Sequence, residues 1–135
     1  MSFILFKRSR ASAYDDLRDV IRVKCSIKIK SNNVKLRKTI FVIYPDLAKY
    51  LKIQAKDKVA LYYDDKNPLF WKIRKTGGVD GYKLFARGTK KDCAITFSIN
   101  SSSAYFSSFD SCKKFTIVKH EKKGNGIIIN LGGEL

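Results

Sequence analysis

The sequence predicts a β-rich α+β fold in which two β-β-α-β-β units form one barrel-like domain with pseudo-twofold symmetry. Val23–Lys30 alternates cleanly between apolar and polar residues, which is the pattern of a half-buried strand. The same order of elements is found from about residue 20 to 75 and again from about 81 to 131. The chain has 135 residues, of which 44% are hydrophobic, so the two units can share a single packed core.

Residues 1–19 are predicted to form an extension before the first unit. Ser2–Phe6 favours an edge strand, because its apolar residues are followed directly by a basic loop. Tyr14 and Leu17 lie at helical spacing behind a serine, with acidic residues early in the stretch. Ser12–Arg22 is therefore predicted to be a short helix.

The first unit begins with a basic hairpin. Val23–Lys30 alternates between apolar and polar residues. Its odd-numbered residues from Val23 to Ile29 are predicted to face the core, and its even-numbered lysines to face outward. Ser31–Asn33 predicts a turn, since asparagine tolerates the left-handed backbone conformation. Val34–Tyr44 is then the returning strand.

A short helix and a second hairpin complete the first unit. Pro45 suits the first turn of a helix, and the helix dipole favours Asp46 beside it. Val59–Tyr63 predicts the next strand, Asp64–Pro68 a loop, and Leu69–Lys75 the strand that returns.

The second unit is found when the sequence is shifted by 56 residues, which places Thr39–Lys75 on Ile95–Leu131 without a gap. Apolar positions then coincide almost throughout, and this predicts that Phe41 and Trp71 belong to the core. The coinciding pairs include Phe41 with Phe97, Val59 with Phe115, and Trp71 with Ile127.

The remaining elements of the second unit follow from this alignment. Asn100–Cys112 is the counterpart of the first helix, with Ser101 or Ser102 as its N-cap. Gly81–Ile99 predicts a second, shorter hairpin. Neither unit alone buries enough apolar surface to be stable, so one domain spanning residues 1–135 is expected.

The charge is strongly unbalanced and predicts a nucleic-acid partner. The chain carries 28 Lys and Arg against 12 Asp and Glu, a formal charge of +16. Basic residues that neutralise phosphates release condensed counterions, which favours binding to nucleic acid. The alternative is a charge that serves only solubility. Residues 20–45 carry seven basic residues and no acid.

The residues predicted to contact nucleic acid lie on the two basic hairpins. Most are lysines, which suit phosphates better than bases, whereas an arginine can also read guanine. Arg22, Arg37 and Arg87 are therefore the ones predicted for any base contact. The full set is Arg22, Lys24, Lys28, Lys30, Lys35, Arg37, Lys38, Arg87, Lys90 and Lys91.

The first unit resembles the swapped-hairpin domain of the AbrB and MraZ transcription regulators. The resemblance implies DNA, rather than RNA, as the partner. It also implies contacts from Lys28, Lys30, Lys35, Arg37 and Lys38, and a role in transcription regulation. Lys56 stands where that family usually has glycine. The matching positions are Ile40, Val42, Pro45, Leu51–Ile53, Asp57–Val59, Asp64–Asp65 and Trp71–Ile73.

Two other kinds of function remain open from the sequence. Aromatic residues make up 13% of the chain, and rings beside lysines can stack on the bases of a single strand. Tyr62, Phe70, Tyr82 and Phe85 would be those rings in a single-strand binder of the Whirly type. The chain can also be a protein-interaction module that docks an acidic partner, and a homo-oligomer is compatible with both.

No catalytic, metal or cofactor site is predicted. His120 is the only histidine and lies in a charged segment, where a solvated hairpin end is expected. Cys25, Cys93 and Cys112 lack metal-ligand spacing and are predicted to be buried, reduced thiols, which indicates the cytoplasm. No apolar run is long enough to span a membrane.

Overall fold

The computed structural model describes residues 2–3, 17–89 and 92–134. Within these residues, nine strands form one antiparallel sheet, accompanied by a short α-helix and a 3-10 helix. The strands are β1 (Ile21–Ile29), β2 (Lys35–Ile43), β3 (Lys58–Tyr63), β4 (Phe70–Thr76), β5 (Tyr82–Lys83), β6 (Phe85–Ala86), β7 (Ile95–Ser101), β8 (Thr116–Lys123) and β9 (Gly126–Glu134). The α-helix α1 spans Pro45–Leu51 and the 3-10 helix Ala104–Phe109.

The sheet is nearly closed into a barrel. Its order is β5-β3-β4-β9-β8-β1-β2-β7-β6, and its two outermost strands are separated in sequence only by Leu84. The Leu84 N–H donates to the Asp57 carbonyl at 2.8 Å, and the Leu84 carbonyl accepts from the Lys56 N–H at 2.9 Å. One short segment thus lies on both edges of the sheet, which covers edge groups that would otherwise be unpaired. The β-rich, barrel-like fold predicted from the sequence is confirmed.

Stacked aromatic rings fill the barrel. Phe41 on β2 and Phe97 on β7 are paired across the strands, and their rings stack with centroids 4.5 Å apart. Phe109 meets Phe41 edge-on at 5.5 Å, and Trp71 lies 5.1 Å from Phe109. Both Phe41 and Trp71 are buried, as the sequence predicted.

Local sequence explains where the two helices begin and end. α1 begins at Pro45 and ends at Leu51, and it is followed by the C-cap residue Lys52, whose backbone is left-handed with φ at 57°. The Lys52 and Ile53 N–H groups cap the last turn by donating to Lys49 and Ala48 carbonyls. The 3-10 helix is capped by Ser103, so the prediction of Ser101 or Ser102 as N-cap is wrong.

The predicted N-terminal helix is wrong at its C-terminal end. Residues 17–20 are irregular, and strand β1 begins at Ile21. Their backbone is engaged elsewhere. The Arg18 carbonyl accepts from the Asp46 N–H at 2.7 Å, and the Val20 carbonyl accepts from the Tyr44 N–H at 3.1 Å. The rest of that prediction, and most of the strand predicted for Ser2–Phe6, lie outside the described residues.

The three cysteines are free thiols. Cys25 and Cys112 are buried as predicted, whereas Cys93 is partly exposed, so its predicted burial is wrong. Burial raises the pKa of the Cys25 thiol, which keeps it protonated at neutral pH.

His120 is half-buried on β8 opposite Ile129, not at a solvated hairpin end as predicted. Burial lowers its pKa, and the nearby Lys122 acts in the same direction, while Asp19 opposes it. The unfolded chain therefore binds the proton more tightly than the folded chain does.

We expect the thermal stability to fall as the pH drops below about 6.5, the ordinary histidine value. His120 is the only histidine. Replacing it with Gln should therefore reduce the change in melting temperature between pH 7.5 and about 5.5. An equal slope in the wild type and the variant would contradict this assignment.

Candidate nucleic-acid interface

The β1–β2 hairpin extends beyond the barrel as a two-stranded ribbon. Pairing of β1 with β8 ends at Val23 opposite Thr116, and pairing of β2 with β7 ends at Arg37 opposite Ser101. Beyond these points the two strands pair only with each other. We call residues 26–38 the ribbon; residues 28–36 pair with neither β7 nor β8, and this free part is about 10 Å long at about 3.3 Å per residue.

The ribbon ends in a tight turn that sequence had predicted. Asn33 adopts φ at 62°, and its N–H donates to the Lys30 carbonyl at 2.9 Å. The Lys30 N–H in turn donates to the Val34 carbonyl at 2.9 Å. The Asn32 side chain accepts from the Val34 N–H at 3.3 Å. These bonds hold the tip of the ribbon in one shape.

The two faces of the ribbon differ in chemistry. Residues directly opposite each other share a face, so Ser26 with Lys38 and Lys28 with Leu36 define one of them. Lys28, Lys38 and their strand neighbours Lys24 and Lys30 lie on this face. We call Lys24, Lys28, Lys30, Lys38 and Arg87 the cationic face.

The opposite face of the ribbon carries Ile27, Ile29 and Lys35. Ile27 is 43% exposed and Ile29 is 64% exposed, so the prediction that both face the core is wrong. Alternation along the strand is intact, but the barrel ends before these residues and leaves no core beneath them.

Arg37 lies at the base of the ribbon and is paired. Its Nε donates to one carboxylate oxygen of Asp110 at 2.7 Å and its Nη2 to the other at 3.1 Å. This bond raises the pKa of Arg37, and only 7% of the residue is exposed. Next to it the Cys25 N–H donates to the Cys112 carbonyl at 2.7 Å. Arg37 therefore fastens the ribbon to the barrel and is buried in this structure; its predicted contact with nucleic acid stays a prediction.

The two basic hairpins meet around the ring of Phe115. The guanidinium carbons of Arg22 and Arg87 lie 4.7 and 5.1 Å from its centroid, and the Lys24 ammonium lies 5.6 Å away. Arg22 is buried and donates to the Tyr44 hydroxyl at 3.0 Å. Arg22 therefore lies beneath the cationic face and not on the surface; its predicted contact with nucleic acid stays a prediction.

This arrangement leaves positive charge uncompensated. In the part of the chain that the structure describes, no carboxylate forms an ion pair with Lys24, Lys28, Lys30, Lys38 or Arg87. Cation–π contacts with Phe115 offset some of the repulsion among its three cations. An approaching phosphate would remove more of it, because its negative charge is attracted to each of these cations.

Three further predicted residues have no described place on this face. Lys90 and Lys91 lie outside the described residues. Lys35 is exposed, but on the opposite face of the ribbon. Phe115 was missed as a site residue because its alignment with the buried Val59 indicated a core position; its only signal is the preceding Lys113–Lys114.

The predicted stacking residues are not brought together. Tyr62 and Phe85 are exposed. The Arg74 guanidinium carbon lies 5.3 Å from the centroid of the Tyr62 ring, and the Lys83 ammonium lies 5.8 Å from that of the Phe85 ring. Tyr82 instead packs against the core, with its ring 6.1 Å from Phe97, and Phe70 is half-buried. A stacked, exposed pair that the sequence did not indicate is Tyr63 with Tyr105, at 4.2 Å.

The chain matches no family model, no curated protein and no solved structure. Across the described ranges, no helix is long and apolar enough to cross a membrane.

Proposed function

We propose that this protein binds DNA through the ribbon and the cationic face, by electrostatic contacts to phosphates. The observation that carries the proposal is the set of cations from Lys30 at the tip of the ribbon to Arg87 beside Phe115, none of which forms an ion pair with a carboxylate of the described residues. A single patch of lysines is often only a solvated surface. Here two hairpins distant in sequence contribute to one face.

The shape of the ribbon supports duplex DNA as the partner. The major groove of B-DNA is about 12 Å wide and admits a two-stranded β-ribbon. Lysines along one face would contact the flanking phosphates, which positions the protein without reading sequence. Arg87 is the exposed arginine of the face and the candidate for a base contact. A role in transcription regulation in the cytoplasm rests on the resemblance to AbrB and MraZ and on the free thiols.

We also propose that the fold is an internal duplication of a β-β-α-β-β unit. The strand register supports it, since Phe41 pairs with Phe97 and Lys72 with Ile128. Both pairs join residues 56 apart, the same shift that aligns the two halves of the sequence. A twofold axis through an antiparallel pair places a residue opposite its own equivalent. The two basic hairpins, β1–β2 and β6–β7, would then be equivalent DNA-contacting elements.

One observation favours single-stranded DNA as a second candidate ligand. Phe85 is 57% exposed, with the Lys83 ammonium 5.8 Å from its ring, and such a pair can stack on a base and hold its phosphate. Within the described residues no ring contact links Phe85 to Tyr62, so a continuous platform would have to form on binding.

Fluorescence anisotropy tests the function and separates the candidates. A labelled duplex, the same strand alone and heparin should be titrated across about 50–200 mM salt. Five contacts from the cationic face predict a slope of log K against log salt of about −4.5 on duplex, at about 0.9 per phosphate. Preference for the single strand would select the second candidate. Weak binding to all three would overturn both and point to an acidic protein partner.

A further inference from the structure

A cavity separate from the cationic face lies beside the C-terminal end of α1. It has a volume of about 650 Å3 and is bounded by the start of β3, the end of β4 and the β8–β9 turn. It shares no residue with the ribbon or the cationic face. Its polar lining includes Lys52, Lys56, Lys58, Lys75, Asp57 and Asn125.

The charged residues that line the cavity are mostly basic. They are four lysines and one aspartate, and the carboxylate of that aspartate is already engaged. Asp57 lies 3.6 Å from the Lys75 ammonium and accepts from the Gln54 N–H at 3.0 Å. Among the described residues, the other three lysines form no ion pair. Like charges gathered in a concave site repel one another until an anion enters.

Two of these lysines occupy strained backbone positions. Lys52 has φ at 57° and Lys56 has φ at 78°, in the left-handed region that glycine tolerates best. Asn33 at the tip of the ribbon is the remaining described non-glycine residue with positive φ. Glycine would relieve the strain at Lys52 and Lys56, but it would remove a lysine side chain from the residues that line the cavity in each case.

We propose that this cavity binds a small anion with several phosphates, of the class of a nucleoside triphosphate. Its volume lies within the range of about 300–1,000 Å3 that is usual for ligand pockets. Lysine suits a phosphate as a point charge, and the Asn125 amide can donate one further hydrogen bond. The proposal is independent of DNA binding, since the two sites share no residue.

The first experiment compares Lys56→Gly with the wild type by isothermal titration with inorganic triphosphate and with ATP. We expect one saturable site in the wild type, with affinity at least about tenfold lower in the variant, because the variant loses one charge-assisted hydrogen bond to the anion. The melting temperature without ligand should stay equal or rise, since the backbone strain is relieved. Loss of binding with retained stability separates a lost contact from an unfolded protein.

Two control variants keep the result interpretable. Asn33→Gly changes a positive-φ residue outside the cavity, and Lys66→Ala removes an exposed charge outside it; both should bind triphosphate like the wild type. Equal binding by Lys56→Gly and wild type would overturn the proposal, as would equal affinity for sulfate and triphosphate. So would a loss of duplex binding in Lys56→Gly without triphosphate binding in the wild type, because the cavity would then be a second DNA contact.

Discussion

Replacing Lys28, Lys30 and Lys38 together with alanine is expected to weaken duplex binding by roughly a hundred- to a thousand-fold at about 0.1 M salt. Each phosphate contact contributes about 0.9 to the slope of log K against log salt, so the slope should become shallower by about 2.7. These lysines share one face of the ribbon, and none forms an ion pair with a described carboxylate. Their removal should leave the barrel intact. Anisotropy across a salt series measures both quantities.

A matched variant with Lys49, Lys66 and Lys123 replaced by alanine keeps the net charge of the ribbon variant. All three are exposed and lie outside the cationic face. This control should lose far less affinity and keep a slope close to that of the wild type. If the two triple variants lose the same affinity, the binding depends on net charge alone and the ribbon is not the site.

Lys35 provides a finer control within the ribbon. It lies on the face of Ile27 and Ile29, opposite the lysines of the cationic face. If the cationic face alone contacts phosphates, Lys35→Ala should change the slope by less than Lys28→Ala does. Equal effects would mean that the ribbon lies inside a groove, with phosphates on both of its sides.

Much of the fold could be predicted because local patterns determine it. Alternation predicted the two strands of the first hairpin, and asparagine predicted the turn between them. Pro45 predicted the start of α1. The coinciding apolar positions predicted that Phe41 and Trp71 are buried. Each of these depends on a few neighbouring residues or on a period along the chain.

What could not be predicted depends on contacts across the fold. Alternation gives the faces of a strand, but it does not give the point where the core beneath it ends. Alternation therefore predicts Ile27 and Ile29 as core residues, although they lie beyond the barrel and are exposed. The spacing of Leu17 predicts a helix, yet the backbone of residues 17–20 forms hydrogen bonds with the segment around Tyr44.

The candidate site shows the same division. Charge counting identified the hairpin, and four of its lysines are exposed or partly exposed on one face. It also selected Arg22 and Arg37, both of which are buried, because a charge count carries no information on partners. The partner of Arg37 is 73 residues away in sequence. The meeting of Arg87 with Lys24 at Phe115 likewise arises only when the barrel closes.

Asp110→Ala is expected to lower the free energy of unfolding by about 2 kcal/mol. Breaking a fully buried ion pair costs about 3–5 kcal/mol, because a charge is left buried without a partner. The Asp110 side chain is 37% exposed, whereas that of Arg37 is 8% exposed, so water screens part of the loss and the estimate is reduced accordingly. Urea denaturation of the variant and the wild type measures the difference.

A double-mutant cycle separates the pair from the individual residues. Arg37→Met combined with Asp110→Ala removes the uncompensated charge and keeps an apolar stem at the base of the ribbon. This double variant should recover part of the stability lost in Asp110→Ala, whereas strictly additive losses would mean that the two side chains do not interact.

The same variants decide between two roles for Arg37 in DNA binding. A residue that contacts phosphate would reduce the salt slope by about 0.9 when it is replaced. A buried residue that only fastens the ribbon would leave the slope unchanged, although affinity can fall if the base of the ribbon loosens. Since both guanidinium bonds go to Asp110, we expect Arg37→Met to destabilise the fold and to keep the wild-type slope. A shallower slope in Arg37→Met would show that DNA displaces Asp110 and that the ion pair between Arg37 and Asp110 opens on binding.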